Sequence, residues 1–178
     1  MPAIFVRAGV SRDASAILDV IAGARQFLAS QHIDQWQGSY PDAAAVESDI
    51  AAGTNRVLTV DGVVTGTASL ITGPDPFYKF IEGRGWQNPN SSDYHAIHRF
   101  AIGDAGRGLH LSRVFMSSLL SELYVRGVRD VRIDTHPDNR IMQHVVSSNG
   151  FQPVGTVYLD EPVPERFAYQ LLMQEPKA

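Results

Sequence analysis

The chain has 178 residues, 44% of them apolar, enough for one compact core and fitting a single domain over residues 1–178. A net charge of −4 without a basic run gives no electrostatic argument for nucleic acid. The absence of cysteine removes disulfides, thiol nucleophiles and thiolate-bound zinc or iron–sulfur sites, and fits a cytoplasmic protein. No stretch approaches the roughly 20 apolar residues that cross a bilayer, so no membrane partner is expected. Arg7 brings charge too early for the apolar segment of a signal peptide.

Residues 3–8 alternate weakly and read as an opening strand. Ser11 and Asp13 are expected to cap a helix whose apolar positions include Ile17, Leu18, Ile21 and Leu28. After Gln31 comes a loop holding Trp36, Tyr40 and Pro41, then a short helix over 42–52 that stops at Gly53. The runs 56–60 and 63–71 flank Asp61-Gly62, a strong hairpin signal. Residues 73–93 mix prolines with Phe77, Tyr78 and Trp86 and read as an irregular insertion. A strand over 97–102 then empties through the turn 104–108 into a helix with Leu111, Phe115, Leu119 and Leu123 on one stripe. A strand over 130–134 follows, then a short helix with Ile141, Met142, Val145 and Val146 inward. That helix stops at Asn149-Gly150 before the apolar Phe151. Strands near 151–159 and 167–173 complete the order β-α-α-β-β-β-α-β-α-β-β, an α/β chain with a mixed sheet and helices on its faces.

A strand that runs through a Gly/Arg turn into a helix aims several backbone N–H groups at one spot. The helix dipole and Arg107 add positive potential there, which suits a phosphate or pyrophosphate. Taken alone, the glycines equally suit an ordinary tight turn. No Gly-Lys-Ser/Thr follows, and a dinucleotide fingerprint would want glycine at position 110, where His110 stands.

The longer ensemble is more specific. Arg107-Gly108, Asp134-Thr135-His136-Pro137-Asp138-Asn139 and Asn149-Gly150-Phe151 together resemble the GNAT superfamily of N-acetyltransferases, most closely over residues 94–173. The resemblance implies a mixed, mostly antiparallel sheet splayed beside its central strand. It implies acetyl-CoA as donor, CoA as product and no metal. Acyl transfer would be to a primary amine of a small molecule or peptide, by direct attack. The donor would lie along the strand holding Phe100, Ala101 and Ile102, whose backbone N–H groups polarise the carbonyl. Its diphosphate would meet Arg107, Gly108, Leu109, His110, Leu111 and Ser112, with His110 at the family's central glycine. Asn139 matches the asparagine that contacts the pantetheine arm, beside its plainer reading as a helix cap. Homodimers are common in the resembled family. A non-catalytic acyl-CoA sensor is the alternative.

Acyl transfer to an amine also needs a base and an acid. The family's usual tyrosine falls at Val146, leaving Tyr158 and Tyr94 as substitute acids, each also readable as packing. His98 is the best base by residue type. By alternation it shares a face with Phe100 and Ile102, which also makes it readable as a core histidine. His136 before Pro137 suits a loop brace. His95, His98, His110, His136 and His144 show no convincing metal-ligand spacing with carboxylates. Arg99 and Arg166 are expected to pair with Asp134 or a nearby glutamate. Trp36, Tyr40, Phe77, Tyr78 and Trp86 are candidates to line an acceptor pocket, and the acidic balance leans toward an amine or cationic acceptor.

Overall fold

The computed structural model describes residues 1–106, 108–160 and 162–175. A seven-stranded sheet has the order β1-β2-β3-β4-β5-β7-β6. The strands are β1 (Ile4–Ala8), β2 (Asn55–Val60), β3 (Val63–Thr72), β4 (His95–Ile102), β5 (Asp130–Thr135), β6 (Gln152–Tyr158) and β7 (Glu165–Leu172). Every neighbouring pair is antiparallel except β4 and β5, so the expected mixed, mostly antiparallel sheet is present. Four helices flank it: α1 (Ala14–Ser30), α2 (Ala43–Ala51), α3 (Leu111–Val125) and α4 (Arg140–Ser148). None is long and apolar enough to cross a membrane among the described residues.

Alternation along β2 separates the faces. Leu58 joins the large core with Leu111, Phe115, Leu119 and Leu123 of α3 and Val145 and Val146 of α4. Its neighbour Val57 packs with Ile17, Ile21 and Val46 of α1 and α2. Farther along that second face the insertion 73–94 makes a third cluster from Tyr78, Trp86 and Tyr94, over Ala96, Val154, Val157 and Ala168. The insertion is therefore a packed layer despite holding only one short helical turn, Pro76–Tyr78.

Local rules set several joints. Asp61 and Gly62 both have positive φ, 49° and 84°, as a two-residue hairpin turn needs. Gly150, at φ 92°, ends α4, and Phe151 N–H donates to Val146 O, turning the chain into β6. At the start of α1 the expected cap is replaced. Asp13 stands at the N-cap, but its carboxylate takes Arg7 at 2.6 and 2.9 Å and Val10 N–H at 2.9 Å. The ion pair ties α1 to β1, and a guanidinium outcompetes a helix N–H for the carboxylate.

β4 governs the site. On one side it pairs with β3 from His95↔Thr72 to Ile102↔Gly66, with a register shift between Ser69↔His98 and Thr67↔Ala101. Two residues of β4, Arg99 and Phe100, thus oppose Ala68 alone. This β-bulge puts Arg99 at φ +53°. On the other side only His95↔Val131 and Ala96↔Arg132 pair β4 with β5. The sheet parts after Ala96.

Candidate active site

A cavity of about 970 Å³ occupies the parting. It is lined by Ile97 to Ile102 of β4, Ile133 to Thr135 of β5, the start of α3, one face of α4, and Gln35, Trp36 and Tyr40 from the α1–α2 loop. Most of this lining is apolar, so the few polar groups in it carry the chemistry.

The bulge changes which side chains meet. The extra residue reverses the alternation, so Phe100 stacks on Phe115 at 5.1 Å on the α3 side. His98 instead lies beside Tyr78 on the opposite face, with ring centroids 5.8 Å apart. It does not share a face with Phe100 and Ile102, and it is no core histidine: it lines the cavity. Its Nε2 meets Asp75 Oδ2 at 2.8 Å. Asp75 Oδ1 also accepts Phe77 N–H at 2.8 Å, and Asp75 N–H donates to Tyr94 Oη at 2.6 Å. Burial pushes the Asp75 carboxyl up, but the hydrogen bond and charge of His98 and the Phe77 amide outweigh it and hold it below its ordinary value. A carboxylate beside Nε2 favours a proton on that nitrogen, and in the neutral ring this leaves Nδ1 as the acceptor. Sequence reasoning missed Asp75. The only local signal was Asp-Pro-Phe, an acidic residue positioned to cap a short turn.

At the other end, α3 begins at Leu111, so the unsatisfied N–H groups of its first turn open toward the cavity. Gly108 has φ +74°, and an added Cβ would meet nothing within 4 Å. His110 stands at φ +56°, ψ +23°, the left-handed conformation in which glycine is favoured, so the expected loop geometry survives with histidine in place. Gly108, His110, Leu111 and Ser112 line the cavity, whereas Leu109 is exposed and does not. Arg107 lies outside the described residues.

Asn139 also lines the cavity, and both ends of its amide are used: Oδ1 caps α4 by accepting Met142 N–H at 3.0 Å, and Nδ2 donates to Gln35 Oε1 at 2.9 Å. On β5, Thr135 Oγ1 is buried and lacks a hydrogen-bond partner among the described residues, although its side chain lines the cavity.

The two tyrosines are placed elsewhere. Tyr158 is half-exposed, donates its hydroxyl to Glu82 at 2.9 Å and does not line the cavity. Tyr94 is buried in the insertion layer beneath Asp75. Burial pushes its hydroxyl up, and at Tyr158 the Glu82 hydrogen bond does the same. Val146 is fully buried in the large core.

Arg99 pairs with neither Asp134 nor a glutamate. Arg99 makes a bidentate pair with Asp49 of α2, at 2.6 and 2.7 Å, and donates to the Tyr40 hydroxyl, because its left-handed backbone turns the side chain away from β5. Arg166 is buried and donates to the carbonyls of Val163 and Glu165 at 2.7 Å each. His136 accepts Asp138 N–H at 3.1 Å and braces the entry to α4. Burial, then the Arg166 charge, holds its imidazole below the ordinary range. Trp36, Tyr40 and Phe77 line the cavity, whereas Tyr78 and Trp86 build the layer behind it. No group of three metal-ligating side chains is found among the described residues.

No protein-family model matches the sequence, and no curated protein does. Solved structures do. An acetyltransferase of the GNAT family from Listeria monocytogenes superposes with a TM-score of 0.73 at 18% identity, over 96% of this chain and 95% of that one. The Salmonella typhimurium protein yncA, solved with its cofactor acetyl-CoA, gives 0.65 at 19% identity over 99% and 97%. At these identities the likeness establishes the fold. An acetyltransferase of the GNAT family from Streptococcus agalactiae goes further, with a TM-score of 0.88 and 30% identity over 97% of this chain and 96% of that one. A parted β4–β5 seam above a left-handed turn into α3, in a chain this close to that protein along nearly its whole length, makes this protein a member of the GNAT family of acetyltransferases.

Proposed function

We propose that the protein transfers an acetyl group from acetyl-CoA to a primary amine of a small molecule or peptide by direct attack, within one domain over residues 1–178. The observation that carries this reading is the seam that parts after Ala96, with the His98–Asp75 pair on its edge.

The residues present fit the donor. The β4 backbone from Ile97 to Ile102 has no β5 partner, and buried backbone groups require one. Phe100, Ala101 and Ile102 are the segment to hold the acyl end. Thr135, whose buried hydroxyl lacks a partner among the described residues, and Asn139 line the same cavity. Gly108, His110, Leu111 and Ser112 supply the amide-lined turn and helix N-terminus that favour a diphosphate. Bound there, acetyl-CoA supplies a thioester whose C–S bond breaks as the amine's C–N bond forms, and CoA departs as a thiolate that takes a proton from water.

His98 removes the amine's proton through Nδ1, and Asp75 keeps the imidazole in the tautomer that leaves Nδ1 free to accept. Backbone N–H groups of the bulge polarise the carbonyl without reorganising. Because the Tyr158 hydroxyl is engaged by Glu82 outside the cavity, and Tyr94 is buried beneath Asp75, neither tyrosine is assigned the acid role. Those placements are also what keeps the acyl-CoA sensor as the second reading.

One experiment separates the two. Calorimetric titration with acetyl-CoA, with ATP as control, is followed by turnover on an amine panel for the wild type and His98→Asn. The transferase reading expects selective acetyl-CoA binding, and kcat/KM lower by about 10²–10³-fold in the variant at unchanged donor affinity. Binding without turnover on any amine favours the sensor, and an unaltered His98→Asn enzyme removes His98 as the base.

A further inference from the structure

β5 presents Asp130, Arg132 and Asp134 on the face of the insertion layer, and their charges are matched unequally. Arg132 pairs with Asp130 at 2.9 Å and lies over the rings of Tyr94 and Trp86, at 3.7 and 4.6 Å, so that cation is accounted for within the fold. Two residues on, Asp134 lines the cavity and has no ion pair among the described residues. Its Oδ1 accepts the hydroxyl of the buried Tyr78 at 2.7 Å, and Oδ2 makes no hydrogen bond among the described residues. Among the described residues, the two arginines that line the cavity bond away from Asp134, Arg99 to Asp49 and Arg166 to carbonyls that include those of Val163 and Glu165. A partly buried carboxylate in a mostly apolar cavity is unfavourable without a positive partner. Burial and the Asp134 charge push the Tyr78 phenol well above its ordinary value, so it stays a neutral donor and fixes the carboxylate without neutralising it.

Building on the acetyltransferase reading, we infer that Asp134 seats a second positive charge on the acceptor, whose class is a primary amine with a further cationic group a few methylenes away, as in a short diamine. The reacting nitrogen must be neutral when it attacks, and a bare carboxylate beside it would hold it protonated. His98, already matched by Asp75, serves that nitrogen instead. Tyr78 spans the two stations, its ring 5.8 Å from the His98 ring and its hydroxyl on Asp134. Phe77 and Ile71 line the same cavity and give the connecting methylenes apolar walls.

The test measures kcat/KM at saturating acetyl-CoA for 1,3-diaminopropane, 1,4-diaminobutane and 1,5-diaminopentane against the monoamines of equal length. It uses the wild type, Asp134→Asn and Tyr78→Phe. In the wild type at least one diamine is expected to exceed its monoamine by about tenfold or more. Asp134→Asn should erase that preference through KM, leaving kcat on the monoamine and calorimetric acetyl-CoA affinity unchanged. Tyr78→Phe should weaken the preference by a smaller factor. Equal kcat/KM within every wild-type pair overturns the inference whether or not the variants fold, and so does a preference that survives Asp134→Asn. Either result with acetyl-CoA binding intact leaves the transferase reading standing. Failure to bind acetyl-CoA would sink that reading, and this inference with it.

Discussion

Toward β3, strand β4 is paired from His95 to Ile102 with a single bulge; toward β5, it is paired only at His95 and Ala96. The same residues thus form a structural joint on one edge and a ligand site on the other. The contrast shows how an open seam avoids collapse: the strand is anchored from behind. Arg99, the bulge residue, reaches back to Asp49 of α2 and Tyr40, and Asp49 also accepts the Ser69 hydroxyl of β3. Phe100 lies on Phe115 of α3, fixing the other side chain of the bulge. Neither anchor fills the gap between β4 and β5.

The largest effect should come from removing the rear anchor. Asp49→Ala leaves the Arg99 guanidinium mostly buried without its bidentate partner, and loss of one member of such a pair typically costs about 3–5 kcal/mol. Urea unfolding should show that loss, and the KM for acetyl-CoA should rise because the bulge is no longer held. A stability loss with unchanged donor KM would mean that the bulge keeps its shape without the clasp. Next in size is Gly66→Ala, on β3 opposite the end of β4. A Cβ there would stand 2.9 Å from Ile102 Cδ1, 3.1 Å from the Ala101 carbonyl and 3.3 Å from Leu58 Cβ. Overpacking of this kind costs about 1–3 kcal/mol, and the strain falls on the closed seam. If donor affinity falls in step, the closed seam sets the width of the open one.

Asn139→Ala probes the open side and should be milder. Loss of the α4 cap costs about 1 kcal/mol. Loss of the cavity-facing amide should raise the donor KM several-fold, and a change in melting temperature alone would reduce Asn139 to a cap. Its bond to Gln35 adds a reason to measure both, since that contact ties the α1–α2 loop to α4.

The closed seam was far more legible in the sequence than the open one. Element order, the Asp61-Gly62 turn, the α3 stripe and the Asn149-Gly150-Phe151 stop all follow from periodicity and local turn chemistry, and each stands where expected. Alternation failed at one residue. A bulge inserts no sequence mark of its own, so plain alternation sets His98 on the Phe100 face, where the candidate base is also readable as a core histidine. Periodicity sets Ile141 inward on α4, yet it is exposed at the cavity wall, because a helix bordering an open site keeps part of its apolar stripe uncovered. Asp75 and Asp49 were missed as partners for a different reason. They lie 23 and 50 residues from the side chains they meet, and no local rule connects them.

The smallest expected effect concerns the paired end of β4, where His95 sits with both seams closed. Its Nε2 lies 3.1 Å from Thr72 Oγ1 and 3.3 Å from Arg126. Burial, and then the Arg126 charge, hold its imidazole below the ordinary range, and His136 is lowered by burial and Arg166. A histidine lowered in the folded state binds its proton first in the unfolded chain. Stability should therefore start to fall as pH drops below about 6.5, where unfolded histidine titrates. The carboxylates of Asp13, held down by Arg7, and Glu122, held down by Arg56, act in the same direction at lower pH. Their contribution is complete above the unfolded value near 4 and is lost as pH falls through the folded one. Urea midpoints measured at pH 7.5, 5.5 and 3.5 should therefore decline in two stages, and His95→Gln should shrink the first while sparing the second. A midpoint that rises between pH 7.5 and 5.5 would contradict the burial of neutral histidine at the closed end. A first stage that survives His95→Gln intact would assign it to His136 and the entry to α4, on the open side of the same strand pair.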